Sequence, residues 1–89
     1  MATLYRSDGT HTVHRPAHPP EWALAELQFL VGGYIELVRI SKGSAISGKV
    51  AYCDEDGRRK QLPLNAQASR LVGYAYVGPV LVIDDRETS

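Results

Sequence analysis

The residues of this chain with the clearest chemical potential are its arginines and tyrosines. Arg58-Arg59-Lys60 is the densest basic run. Joined with Arg70, the guanidiniums of Arg58 and Arg59 would suit a phosphate or carboxylate, because the planar fork donates two parallel hydrogen bonds to such groups. Asn65 bears on the same question. Its side-chain oxygen is placed to cap a short helix by accepting from the backbone amide of Gln67 or Ala68, while a helix amino terminus beside arginines also suits an anion. Tyr74 and Tyr76 point to one side of an extended segment, where a ring either fills core or subunit interface, or offers a face on which a base or partner stacks. The plainer reading of the basic run is a solvated strand edge. Alternation would then send Arg58 and Lys60 to one face and Arg59 to the other, where charge discourages sheet-to-sheet aggregation.

Other groups carry less. His11, His14 and His18 supply three imidazoles, but on a strand His11 and His14 point to opposite faces, and the prolines after His14 prevent the helical turn that would align His14 with His18. No metal is expected, because a metal site needs converging ligands. Cys53 follows Ala51 and Tyr52 at the end of a strand, a position that suits a small half-buried hydrophobe, and no local catalytic signature surrounds it. Asp54, Glu55 and Asp56 sit at a hairpin tip. They lack the spacing of a calcium loop, so turn chemistry and solvation account for them. No cofactor motif is present.

These groups must be held by elements that the sequence marks out. Ala2 to Tyr5 and Thr10 to Val13 form a first hairpin around Asp8-Gly9, and Arg15-Pro16-Ala17-His18-Pro19-Pro20 is an extended connector. Pro20 suits a first helical turn, so a helix is expected from Glu21 to Val31. Leu24, Leu27 and Leu30 or Val31 lie along it, with Trp22, Ala25 and Phe29 as a second apolar row. Gly32 and Gly33 stop it. Gly32 is expected in the left-handed conformation and Gly33 in an extended one, which would make Gly33→Ala a milder change than Gly32→Val. Tyr34 to Ile40 is a strand. Lys49 to Cys53 and Arg58 to Leu62 read as a second hairpin around Asp54-Glu55-Asp56-Gly57. Asn65 to Val72 is the short helix, closed by Gly73. Tyr74 to Ile83 is a last strand that Gly78-Pro79 divides.

The expected fold is α+β, with the order ββαβββαβ. A twisted, mainly antiparallel sheet of about five to six strands carries one main and one short helix on one face. One domain is expected over 1–89: a hairpin and proline-rich connector to residue 20, a core over 21–83, and a polar tail over 84–89. Two cores would leave each half near the size at which disulfides or metals are normally needed. Ten basic and ten acidic residues balance, so nothing general draws the chain to nucleic acid or membrane. Nucleic acid is possible but disfavoured. A single cysteine, with no signal peptide or apolar span, points to a reducing cytoplasm.

Four segments together resemble a small family of unknown function found in bacteriophages, plasmids and their bacterial hosts. They are Leu30-Val31-Gly32-Gly33-Tyr34-Ile35-Glu36, Asp54-Glu55-Asp56-Gly57, Leu62-Pro63-Leu64-Asn65 with Ala68, and Val77-Gly78-Pro79-Val80-Leu81-Val82. The likeness runs from about Leu27 to Ile83. The family commonly has asparagine at the place of Asp54, and the histidine- and proline-rich first twenty residues look particular to this chain. The resemblance implies a fold and a mobile-element setting, and no chemistry.

The function expected is that of a non-enzymatic accessory protein that binds or sequesters a host component, either a host defence protein or a small anionic, nucleotide-like ligand. A nucleic-acid-binding regulator is the alternative, and a small cysteine-dependent enzyme a more distant one. Because the first helix is apolar on two sides, a homo-oligomer is expected, a dimer by preference, with Trp22 or Phe29 near the contact.

Overall fold

The sequence Val80-Leu81-Val82-Ile83 has no polar alternation, and a strand of that kind is stable only when both of its faces are covered. All four residues are buried in the computed structural model, which describes residues 1–83. This strand, β5, is the middle of a five-stranded sheet. The others are β1 (Ala2–Tyr5), β2 (His11–His14), β3 (Ile35–Leu37) and β4 (Val50–Asp54), with helix α1 (Leu24–Val31) between β2 and β3 and helix α2 (Ala66–Val72) between β4 and β5. The spatial order is β2-β1-β5-β4-β3. Every pairing is antiparallel. The α+β class expected from the sequence is the class observed.

The helices do not share a face. Val80 and Val82 pack with Ala51, Cys53, Val38 and Ile46 against Ala68 and Val72 of α2, whereas Leu81 and Ile83 pack with Ala2 and Leu4 against Leu27 and Val31 of α1. Successive residues of β5 therefore feed two separate cores on opposite sides of the sheet. The expectation of both helices on one face is corrected by this parity.

The strand expected over Arg58 to Leu62 is not formed. Arg58 to Leu62 coils instead of extending: the amide of Lys60 donates to Asp56, that of Gln61 to Arg58 and that of Leu62 to Gly57, at 2.9 to 3.0 Å. Gln61 has φ 58°, outside any strand geometry. Other boundaries contract. Ala23 is extended at φ −75° and ψ 147°, so α1 starts at Leu24 and not at Glu21. Glu26 sets that start, its carboxylate accepting from the amides of Ala23 at 3.1 Å and Ala17 at 2.8 Å. Trp22 lies ahead of the helix and packs on the α1-side core. Gly78, at φ 73°, breaks the expected last strand, and Val77 forms only an isolated bridge with Leu64.

Gly32 closes α1 as expected, at φ 87°, and the amides of Gly32 and Gly33 both donate to the carbonyl of Gln28. The polar tail over 84–89 lies outside the described residues. Among the described residues, no helix is long and apolar enough to cross a membrane.

Candidate functional site

The turn that follows β4 organises the chemistry of the molecule. Asp54 stands at its base with a side chain only 2% exposed, and accepts from Lys60 Nζ at 2.6 Å and from the amide of Asp56 at 2.9 Å. Burial works against the charged carboxylate, but the Lys60 ammonium and the Asp56 amide outweigh it and hold the Asp54 carboxyl below its ordinary range. Lys60 Nζ also reaches the carbonyl of Gly32 at 3.3 Å, where a cation complements the end of α1. The acidic tip expected to be solvated thus has its first residue inside. Gly33 lies against this pair: a Cβ there would stand 2.9 Å from Lys60 Nζ and 3.0 Å from both Asp54 oxygens.

Beside the same turn the surface opens into a cleft of about 440 Å³. That volume is within the range of small-molecule sites. Glu36 of β3, Cys53 and Asp54 of β4, Glu55 and Arg58 of the turn, Arg39, and the segment Tyr74 to Val77 line it. Tyr76 is the best-fixed wall. Its hydroxyl accepts from the backbone amide of Arg39 at 2.6 Å, its own amide donates to Ser69 Oγ at 2.9 Å, and its carbonyl accepts from the amide of Asn65. The Arg39 guanidinium lies over the ring of Tyr74, 5.2 Å from its centroid, a cation–π contact. Neither Arg39 nor Arg58 has a carboxylate partner among the described residues.

Of the residues singled out from the sequence, Arg58, Tyr74 and Tyr76 meet in this cleft. Arg59 and Arg70 do not. Arg59 pairs with Asp56 at 3.0 Å and is 79% exposed, and Arg70 sits on the last turn of α2. Asn65 is fully buried and its side chain is spoken for: Oδ1 accepts from Ala68 at 3.0 Å, and Nδ2 donates to the carbonyls of Tyr5 and Gly78 at 2.8 Å. It caps α2 and ties that helix to β1, with no hydrogen left to donate to an anion.

Arg39 was not legible from the sequence. Regular alternation from Tyr34 to Ile40 puts it on the face opposite Glu36, but the strand ends at Leu37, and beyond that point both side chains line the same cleft. Cys53 also borders the cleft, yet it is 4% exposed. Burial, then the charges of Glu36 and Asp54, push its thiol up to about 11, the opposite of what a nucleophile requires. The histidines have separate surroundings. His11 lies against the ring of Tyr5, His14 is bonded to Thr12 Oγ1 at 2.7 Å, and the backbone of His18 forms an isolated β-bridge with that of Glu21. Phe29 projects from α1 and is 85% exposed.

Comparison with known families places these features. The chain belongs to the family described as Domain of unknown function (DUF3846), whose model matches residues 7–89. The match begins at Ser7, so it takes in the histidine- and proline-rich segment as well as the part from Leu27 to Ile83. No curated protein and no solved structure matched in the same comparisons.

Proposed function

Taking the chain as a member of that family, we propose that it is a non-enzymatic accessory protein of a phage or other mobile element, which acts in the host cytoplasm by holding a host component. Its cleft takes a small anionic, nucleotide-like ligand. The observation that carries this reading is the convergence of Arg39 and Arg58, both without carboxylate partners among the described residues, on a cleft walled by Tyr74 and Tyr76. Guanidiniums bind phosphate, and tyrosine rings stack on bases. Sequestration asks for nothing more, because a stoichiometric binder needs no tuned acid and base.

The alternative of a nucleic-acid-binding regulator draws less support. Of the run Arg58-Arg59-Lys60, only Arg58 opens on the cleft, while Arg59 and Lys60 are paired with Asp56 and Asp54. Thermal shift with a panel of nucleotides tests the proposal, since a ligand at 100 times its Kd stabilises the folded state by about 2.7 kcal/mol. Absence of a shift with every nucleotide would move the assignment to a host protein as partner. In the same reading the chain is a homodimer with the exposed Phe29 at the contact. A monomer by light scattering at tens of micromolar would remove that part.

A further inference from the structure

The cleft already contains a cation–π pair. The guanidinium of Arg39 covers Tyr74, which remains 42% exposed, and it does so although Glu36 and Glu55 line the same cleft. The backbone of Arg39 is not free to follow its side chain, because its amide is bonded to the hydroxyl of Tyr76. The base of the side chain is therefore fixed at the rim, and the guanidinium is held there by a contact that is weak at exposed sites.

We propose that Arg39 is an exchangeable occupant of the Tyr74 face. When a nucleoside monophosphate enters, its base takes the ring of Tyr74 and the displaced guanidinium turns onto the phosphate beside Arg58. The inference rests on the nucleotide reading of the cleft and assigns the residue that would enforce it. Three physical arguments support the exchange. A planar guanidinium and a nucleobase are interchangeable as stacking partners for a phenol ring. A charge-assisted, two-point bond to phosphate is stronger than the contact it replaces. With the backbone pinned, the change is confined to side-chain rotation, so little ordering is lost on binding. Glu36 and Glu55 are left to accept from ribose hydroxyls or an exocyclic amine.

The exchange makes the two halves of the ligand depend on each other. Adenosine alone must displace Arg39 with no phosphate to receive it, and inorganic phosphate alone gains no ring face. AMP does both, so it binds more tightly than either half would suggest.

Titration calorimetry with AMP, adenosine and inorganic phosphate, on the full chain and on Arg39→Ala, separates the possibilities. The variant removes an exposed side chain and keeps the backbone bond to Tyr76, and its melting temperature serves as the check on folding. The expected result is a loss of about tenfold in AMP affinity, the scale of one charge-assisted hydrogen bond, with adenosine affinity unchanged or raised because the ring face is vacated. A structural role alone would not move the two ligands apart. Equal losses for AMP and adenosine, or no loss for AMP, would overturn the exchange while leaving the nucleotide reading intact. The Arg39 δ-proton shifts give a second readout: Tyr74→Leu in the free protein and AMP in the unaltered protein should both abolish the ring-current displacement. AMP binding that leaves the displacement in place would also overturn it. If none of the three ligands binds at millimolar concentration, the nucleotide reading fails and the exchange fails with it.

Discussion

Asp54 and Arg58 belong to the same turn and meet opposite fates. Asp54 borders the cleft but is buried against Lys60, Gly32 and Gly33, and its charge is answered there. Arg58 faces the cleft, where neither it nor Arg39 has a carboxylate partner among the described residues. The difference shows what the family resemblance encodes. Its four segments pack on one another: Gly33 lies against Asp54, a Cβ at Gly57 would come within 3.1 Å of Val77, and one at Gly78 within 2.6 Å of Leu62. Leu64 bridges Val77, and Asn65 holds the carbonyl of Gly78. Packing explains those residue types. Arg39, Arg58, Tyr74 and Tyr76, which give the cleft its cations and rings, all lie outside them.

That contrast is easiest to break at Asn65, where the largest effect is expected. Alanine there removes the cap of α2 and leaves the carbonyls of Tyr5 and Gly78 without their donor. A loss of about 3 kcal/mol follows from the cap and the stranded carbonyls together. Urea denaturation measures it. A loss below about 1 kcal/mol, the scale of the cap alone, would show that Asn65 is not a keystone of the frame.

Lys60→Met comes next, because it leaves the buried Asp54 charge without its ammonium. Lys60 is 40% exposed, so the cost is reduced from that of a fully buried pair to about 2 kcal/mol. The pH dependence has a definite sign. Asp54 titrates lower folded than unfolded, so its contribution is present above about pH 4, near the unfolded carboxylate value, and is lost as pH falls through the folded value. In Lys60→Met that acid-side slope should flatten. Stability profiles of the two proteins between neutral pH and the acid limb would show it.

The glycine pair is expected to follow in size, with Gly33→Ala the larger of two alanine changes. Gly32→Ala enters open space and meets only the left-handed backbone, at about 1 to 2 kcal/mol. Gly33→Ala drives a methyl into the buried Asp54 carboxylate, and overpacking of that kind costs about 1 to 3 kcal/mol. Urea midpoints showing Gly33→Ala to be the milder change would mean that Lys60 and Asp54 yield readily.

These cases mark where the sequence was sufficient. The close of α1 at Gly32, the cap at Asn65 and the first hairpin all depend on neighbours within a few residues, and local chemistry specifies them. Arg58 to Leu62 failed because its coil depends on Lys60 folding back to Asp54, a contact that strand propensity does not register. The helix faces failed for a different reason: β5 is apolar at both parities, which implies two covered faces, but the pattern does not say which helix covers which. In the cleft, Arg58 and the tyrosines were visible as types. Arg39 was hidden by the early end of β3.

The smallest expected effect sharpens the comparison most. If the cleft side chains are held for a ligand and not for the fold, Arg58→Ala and Tyr74→Leu should each change stability by no more than about 0.5 kcal/mol, as exposed positions away from caps and cores do. Tyr76→Phe provides the control within the same cleft. It keeps the ring against the α2-side core but removes the hydroxyl that fixes Arg39, and a lost hydrogen bond of that kind costs about 1 kcal/mol. Denaturation midpoints of the three variants in one buffer would order them. If Arg58→Ala proved as costly as Tyr76→Phe, Arg58 would belong to the frame, and the division of the turn into a satisfied side and an open side would fail at the residue on which the cleft's anion chemistry chiefly rests.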